Sequence, residues 1–336
     1  MAAFPAPDRF SGELIVRIFL IAALAVGLFS AQAHACGLDE MVRGHCPLIE
    51  SEASDPDGFR GAIELARSWR EWPQRDTLLT DNGRWQLNVC AYQTKVTGEA
   101  THAVIAEFTD DKARRKWESR LKTVRRHATK WQEITQDGIN GVRQSRIVFN
   151  FYKADGAFRR CEEHPTDHVR IAFTERNETT KSGPLRAALT GTLSMRPDIV
   201  GTPSMWLPLS QTGGFKRTVQ HEFGHALGFV HETKHPTWAS KCYDHFSATK
   251  FAMKALGAKD EASAQMIVDS QLKGTLKEPQ VEMTKEFDDR SVMAYRVGAR
   301  FFDNDKGAEC ALTKGAKISD DDEYTFMLVY GMDAPN

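Results

Sequence analysis

The sequence predicts a layered fold of mixed class, α/β or α+β, on three observations. A segment of strand alternation is followed by a long helical pattern, two more strand-like runs come next, and a second helix carries a dense histidine motif. "RWQLNVCAY", Arg84 to Tyr92, alternates with Trp85, Leu87 and Val89 on one face, as a half-buried strand does. Asp110 to Trp131 reads as a helix capped by Asp110 or Asp111, with Trp117, Leu121, Val124, Ala128 and Trp131 at helical spacing. "RIVFNFYK" (Arg146 to Lys153) and "HVRIAFTE" (His168 to Glu175) are the next strands.

The stretch from Arg176 to Ser204 is rich in Thr, Gly and Pro and is expected at the surface. "SMWLPL", Ser204 to Leu209, is apolar but contains Pro208. A missing amide donor there predicts an edge strand rather than a central one. No internal repeat and no long low-complexity segment is present.

The 336 residues carry a formal net charge of −1 and are 41% hydrophobic, enough for one large or two small domains. Arg114, Arg115, Lys116, Arg120, Lys122, Arg125 and Arg126 gather on the long helix and read as a solvated stripe, so no nucleic-acid partner is expected. Ile18 to Phe29 is an unbroken apolar run preceded by Arg9 and Arg17 and followed by "AQAHAC". That run is shorter than the ~20 apolar residues a membrane span needs. Ala33 and Ala35 fit a signal-peptidase site, so residues 1–35 are read as a signal peptide and the mature chain begins at Cys36, secreted or periplasmic and without a membrane span. Residues 36–81 form an N-terminal extension or short pro-segment, and the folded domain is assigned to 82–336. The six cysteines, Cys36, Cys46, Cys90, Cys161, Cys242 and Cys310, all follow the cleavage point. An even count in an exported chain favours disulfides, and the absence of a CxxC pair argues against a thiolate zinc site. Cys36 with Cys46 and Cys242 with Cys310 are attractive pairs, although the sequence alone does not choose among the connectivities.

The chemistry lies in "HEFGHALGFVHE", residues 221–232. Phe215, Val219, Phe223 and Ala226 or Leu227 mark one apolar helix face. His221 and His225 are one turn apart and project from the same side, so both can reach one ion. Gly228 can adopt the left-handed conformation that ends a helix, which would let the chain return His231 as a third nitrogen ligand. Three protein ligands leave a fourth position open, as a catalytic zinc ion requires. Glu222 is poorly placed as a ligand to the same ion but well placed to take a proton from a water there, whose pKa zinc lowers from ~15.7 toward ~7. One catalytic Zn²⁺ is therefore the expected cofactor.

HExxHxxGxxH, His221 to His231, resembles the zinc signature of the metzincin metalloendopeptidases, and Glu232 after the third histidine resembles the astacins. "SVMAY", Ser291 to Tyr295, lies where a metzincin has its Met-turn. The resemblance implies that Met293 forms an apolar floor beneath the metal and that Tyr295 stabilises the oxyanion. It implies an α+β fold: a twisted mixed sheet and two long helices above the cleft, and a mostly irregular C-terminal subdomain below. "SMWLPL" would be the edge strand that pairs with an extended protein or peptide substrate. "ISDDDEYTFMLVYG" would be the C-terminal helix, with Ser319 as its cap and Tyr324, Met327, Leu328 and Tyr330 available to pack. Ala294 stands where astacins commonly carry histidine, which points to a divergent, bacterial-type branch. No pro-segment switch is evident; "FRGA" at Phe59 is a partial echo of one. The expected protein is a monomeric, exported zinc endopeptidase. The rivals are a binding protein that keeps the metal without turnover and a zinc hydrolase of a non-protein amide.

Overall fold

The computed structural model describes residues 80, 83–94, 104–138, 141–175, 186–189, 191–195, 200–210, 213–243, 287–294, 298–299, 302, 309–312 and 315–333. The expected signal peptide, the extension apart from Thr80, Cys36, Cys46 and Tyr295 lie outside the described residues.

The architecture is mixed α+β, with parallel and antiparallel pairing in one main sheet. Strand β1 (Trp85–Ala91) lies between β5 (Ile147–Asn150) and β6 (Val169–Glu175), parallel to both. The sheet continues through β8 (Met205–Pro208), parallel to β6, to β7 (Ala187–Ala188), antiparallel to β8, giving the order β5-β1-β6-β8-β7. A short β2 (Val104–Ile105) pairs antiparallel with the far end of β6. Helix α1 (Asp111–Gln132) makes the long crossover a parallel β1–β5 pair demands. Its first orphan amides are met at Asp110, whose side chain accepts from the Ala113 N–H at 2.7 Å.

Helix α1 presents the expected stripe inward: Trp117, Leu121, Val124, Ala128 and Trp131 are all buried. Opposite them stand Trp85, Leu87 and Val89 of β1 and Ile147 and Phe149 of β5 in one continuous core. Helix α2 (Phe215–Ala226) packs on the same core through Phe215, Val219 and Phe223, with Phe223 edge-on to Phe149 at 5.0 Å between ring centroids. Trp131 joins the two helices, its indole N–H donating to the Gln220 carbonyl at 2.9 Å. Anchoring the histidine helix through a buried aromatic with a satisfied donor adds direction to apolar burial.

The expected edge strand is a correction. Met205 and Trp206 are paired on both sides, by β6 and by β7, so this stretch is internal and β7 is the edge. Pro208 is tolerated because of its position. The Leu209 N–H donates to the Thr174 carbonyl at 2.8 Å, so the Pro208 nitrogen faces the other side, beyond the end of β7.

A second, three-stranded antiparallel sheet was not anticipated: β3 (Thr135–Gly138), β4 (Gly141–Ser145) and β9 (Gly331–Asp333), in that order. It joins the end of α1 to the end of the C-terminal helix α4 (Asp320–Tyr330). Ser319 caps α4 in a capping box closed by Asp322. Helix α4 turns Phe326, Met327 and Tyr330 inward, while Tyr324 and Leu328 are exposed, contrary to expectation. The buried positions Asp322, Phe326 and Tyr330 recur every four residues, which places Tyr324 on the outer side.

Two disulfides lie among the described residues. Cys242–Cys310 is as expected and ties α3 (Pro236–Cys242) to the C-terminal region; Cys90–Cys161 pins β1 to the loop before β6. Among the described residues no helix is long and apolar enough to cross a membrane. Of the basic residues of α1, Arg114, Arg115, Lys116, Lys122, Arg125 and Arg126 are exposed and Arg120 is partly buried, and Arg114 meets Asp111 at 3.0 Å.

His168, at the start of β6, is buried, and its Nδ1 accepts the Asn88 N–H at 3.0 Å. Burial, with Arg170 and Arg159 nearby, depresses its pKa from 6.5 to about 4, against the pull of Asp167. Between those values the unfolded chain binds the proton that the folded chain refuses, so stability falls as pH drops from 6.5 to about 4. His168→Gln, which retains an acceptor, is expected to lessen this acid loss by up to about 3 kcal/mol. Urea unfolding of both proteins across that pH interval measures the difference, and parallel curves would rule out His168 as the source.

Candidate metal centre

The glycine that ends α2 behaves as the sequence requires. Gly228 has φ 96°, its N–H donates to the His225 carbonyl at 2.7 Å, and the Phe229 N–H reaches the Gly224 carbonyl at 3.0 Å. These two bonds form the paired helix-end motif that reverses the chain, and His231 returns beside the helix.

His221, His225 and His231 are all buried, and their candidate ligand nitrogens lie within 4.8 Å of one another. The Nε2 atoms of His225 and His231 are 3.0 Å apart, and those of His231 and His221 are 3.3 Å apart. Imidazole nitrogens sharing a tetrahedral zinc at ~2.0–2.1 Å would be ~3.3 Å apart. The far side of two rings fixes the tautomer. His221 Nδ1 donates to the Val292 carbonyl at 2.8 Å and His225 Nδ1 to the Phe229 carbonyl at 2.8 Å. A neutral imidazole that donates from Nδ1 carries a lone pair at Nε2. Two such lone pairs converge with the His231 Nε2 on one buried point, an arrangement that a cation relieves and apolar surroundings would not. The triad is thus positioned to hold a metal ion.

Glu222 follows His221 on α2 and is itself buried. Tyr295 lies outside the described residues, while the expected Met-turn before it is described through Ala294. Met293 is fully buried and lies directly under α2: a Cβ added to Gly224 would meet its Sδ at 2.5 Å and Trp131 at 3.2 Å. Gly224 is therefore the residue that lets the turn approach the helix between His221 and His225.

Several supporting residues escaped the sequence reading. Arg217, one turn before His221, donates to the carbonyls of Gly315 at 2.6 Å, Val292 at 3.1 Å and Ala294 at 2.7 Å, binding the turn to the helix. Asp322 at the start of α4 accepts from the Val292 N–H at 2.9 Å and from the Ser291 hydroxyl at 2.7 Å. Burial pushes the Asp322 carboxyl up, against the donors from Ser319, Ser291 and Val292. Glu232 accepts the Asp288 N–H at 3.0 Å, and its pKa is pushed up to about 8, first by burial and then by the Asp322 and Asp288 carboxylates. The S-x-x-D pattern at Ser319 was readable as a cap; its reach to another segment was not, because that contact exists only once α4 is docked.

No protein-family model matches the sequence, and no curated protein matches it. Among solved structures, two of myroilysin are similar to this chain. One has 21% sequence identity and a TM-score of 0.48, covering 77% of this chain and 98% of that one. The other has 21% identity and a TM-score of 0.40, covering 76% of this chain and 87% of that one. At this distance the assignment rests on the site's own geometry.

Gly224→Ala is expected to destabilise the protein by about 1–3 kcal/mol, because the added methyl must displace a fully packed side chain. Met293→Ala in the same chain should cancel part of that cost, since the two sites touch. Chemical denaturation of the two single variants and the double variant measures the coupling, and strict additivity would refute the close approach.

Proposed function

We infer that the chain is an exported, zinc-dependent endopeptidase that hydrolyses peptide bonds with Glu222 as general base. The observation that carries the reading is the convergence of three imidazole nitrogens beside a buried glutamate on the same helix. His221, His225 and His231 are the residues that would hold the ion. A bound zinc ion would supply a water acidic enough to lose its proton near neutral pH and would polarise the scissile carbonyl. Glu222 takes that proton on its carboxylate as the carbonyl carbon is attacked, then delivers it to the leaving amine, so no second acid is needed. Tyr295 donates its phenolic hydrogen bond to the developing oxyanion.

The substrate is a protein or peptide bound as an extended strand. Its partner is assigned to β7, the antiparallel edge beside β8, in place of the Met205–Pro208 strand itself. The astacin-like branch is favoured by Glu232 after the third histidine. Residues 1–35 are proposed as the signal peptide, 36–81 as an extension or pro-segment and 82–336 as the catalytic domain, acting as a monomer outside the cytoplasm. The disulfides accord with an oxidising compartment.

Glu222→Gln should keep about one zinc per chain yet lower kcat on a denatured protein substrate by about 10²–10⁴-fold. Metal analysis alongside a cleavage assay tests both halves, and unchanged proteolysis would remove Glu222 from the mechanism. Tyr295→Phe should lower kcat by about 10²-fold or more with little change in KM, because the lost donor acts only in the transition state. A KM effect alone would make Tyr295 a substrate contact instead. Wild-type protein that holds zinc but cleaves no member of a peptide library would favour the binding-protein reading.

A further inference from the structure

The geometry points to Ser291 and Asp322 as positioning residues for the metal ligand His221, acting through the peptide group that joins Val292 to Met293. This rests on the metal-site reading above and extends it to residues that touch neither metal nor substrate. The connection is a continuous line of hydrogen bonds. The Ser291 hydroxyl donates to Asp322 Oδ1 at 2.7 Å, and the Met293 N–H donates to the same Ser291 oxygen at 2.8 Å. The other end of that peptide group is the Val292 carbonyl, which accepts the proton on His221 Nδ1 at 2.8 Å.

Each bond in the line strengthens the next. A hydroxyl that gives its proton to an acceptor becomes a better acceptor itself. A peptide whose N–H is engaged carries more negative charge on its oxygen. The Val292 oxygen thus holds the Nδ1 proton firmly, which keeps the Nε2 lone pair turned toward the triad and raises its basicity. Metal-bound histidines commonly obtain the same effect from a carboxylate bonded directly to the ring. Here the carboxylate stands three bonds away and belongs to α4, about a hundred residues along the chain from His221.

The line is enclosed, and the Ser291 hydroxyl that carries it also lies within hydrogen-bond reach of Glu232. Ser291, Val292 and Met293 are fully buried and Asp322 nearly so, so water does not replace a lost member. Asp322 Oδ2 is held separately by the N–H groups of Val292 and Ser319, each at 2.9 Å, which fixes the carboxylate independently of Ser291. Removing the Ser291 hydroxyl therefore cuts the line while leaving the cap of α4 intact. Arg217 also donates to the Val292 oxygen, at 3.1 Å, and locks the carbonyl from its other side.

The test measures Zn²⁺ affinity of full-length protein by competition with a chromophoric chelator, together with ¹⁵N chemical shifts of the histidine rings in the metal-free protein. Ser291→Ala is expected to weaken zinc binding by about 10–100-fold, the range found when such outer partners of a ligand are lost. It should also shift the His221 ring nitrogens toward a mixture of tautomers. Ser291→Thr, which retains the hydroxyl, should bind nearly as wild type. Ser194→Ala is the control for general loss of stability: that buried hydroxyl bonds the Gly191 carbonyl at 3.1 Å, away from the line, and its loss should leave zinc affinity unchanged. If Ser291→Ala does not fold, Asp322→Asn is measured in the same way, with the same expected weakening. Affinity unchanged within about twofold in the variant that folds, or an equal loss in Ser194→Ala, would overturn the proposal. A wild-type protein that binds no zinc would instead overturn the metal-site reading on which it stands.

Discussion

Three ring nitrogens meet at one buried point, and they can do so only because the far side of the rings is tied down. A histidine side chain has two free torsions, and three unrestrained imidazoles in contact would rotate apart to escape lone-pair repulsion and to regain water. The carbonyls of Val292 and Phe229 prevent this for His221 and His225. Much of the described structure serves to put those two carbonyls where they are. Phe229 is delivered by the left-handed Gly228 and the reversal it closes. Val292 is delivered by a turn that Arg217, Ser291, Asp322 and the Gly224 gap hold against the helix.

That dependence explains the division of labour in the fold. The parallel sheet and α1 form a rigid backing in which α2 is seated by Phe223 against Phe149 and by Trp131 against Gln220. Regular elements set the position of His221, Glu222 and His225. The remaining parts, His231 and the turn at 291–294, come from irregular chain, and the turn's backbone groups are met by its own Ser291 hydroxyl and by the side chains of Asp322 and Arg217. Buried irregular backbone is costly unless each polar group is met, and here it is Ser291, Asp322 and Arg217 that meet them. Gly315 contributes in the same way: a side chain there would collide with the backbone of Arg290 and Ser291.

The sequence disclosed the parts whose signal is local. Helices α1 and α2 carry strong apolar periodicity, Asp110 and Ser319 are recognisable caps, and the offset of Gly228 from the histidines announces the reversal. The hairpin of β3 and β4 escaped because "TQDG" and "GVRQS" show no apolar alternation; their pairing is carried by backbone bonds to each other and to β9. The Cys90–Cys161 bridge escaped because it depends on where the loop before β6 crosses β1, with Ala91 bridged to Arg160. Proline at position 208 misled because its rule concerns one side of a strand. The side that lacks the donor lies beyond the residues with which β7 pairs. The carboxylate relay to His221 was invisible for a related reason: Ser291 and Asp322 are distant in sequence and meet only when α4 has docked.

Zinc K-edge X-ray absorption of the purified wild-type protein tests whether His221, His225 and His231 form an open metal site. The expected first shell consists of nitrogen and oxygen scatterers at ~2.0–2.1 Å with the outer-shell pattern of three imidazoles and one lighter ligand. A shell containing sulfur at ~2.3 Å, or one without imidazole scattering, would contradict it.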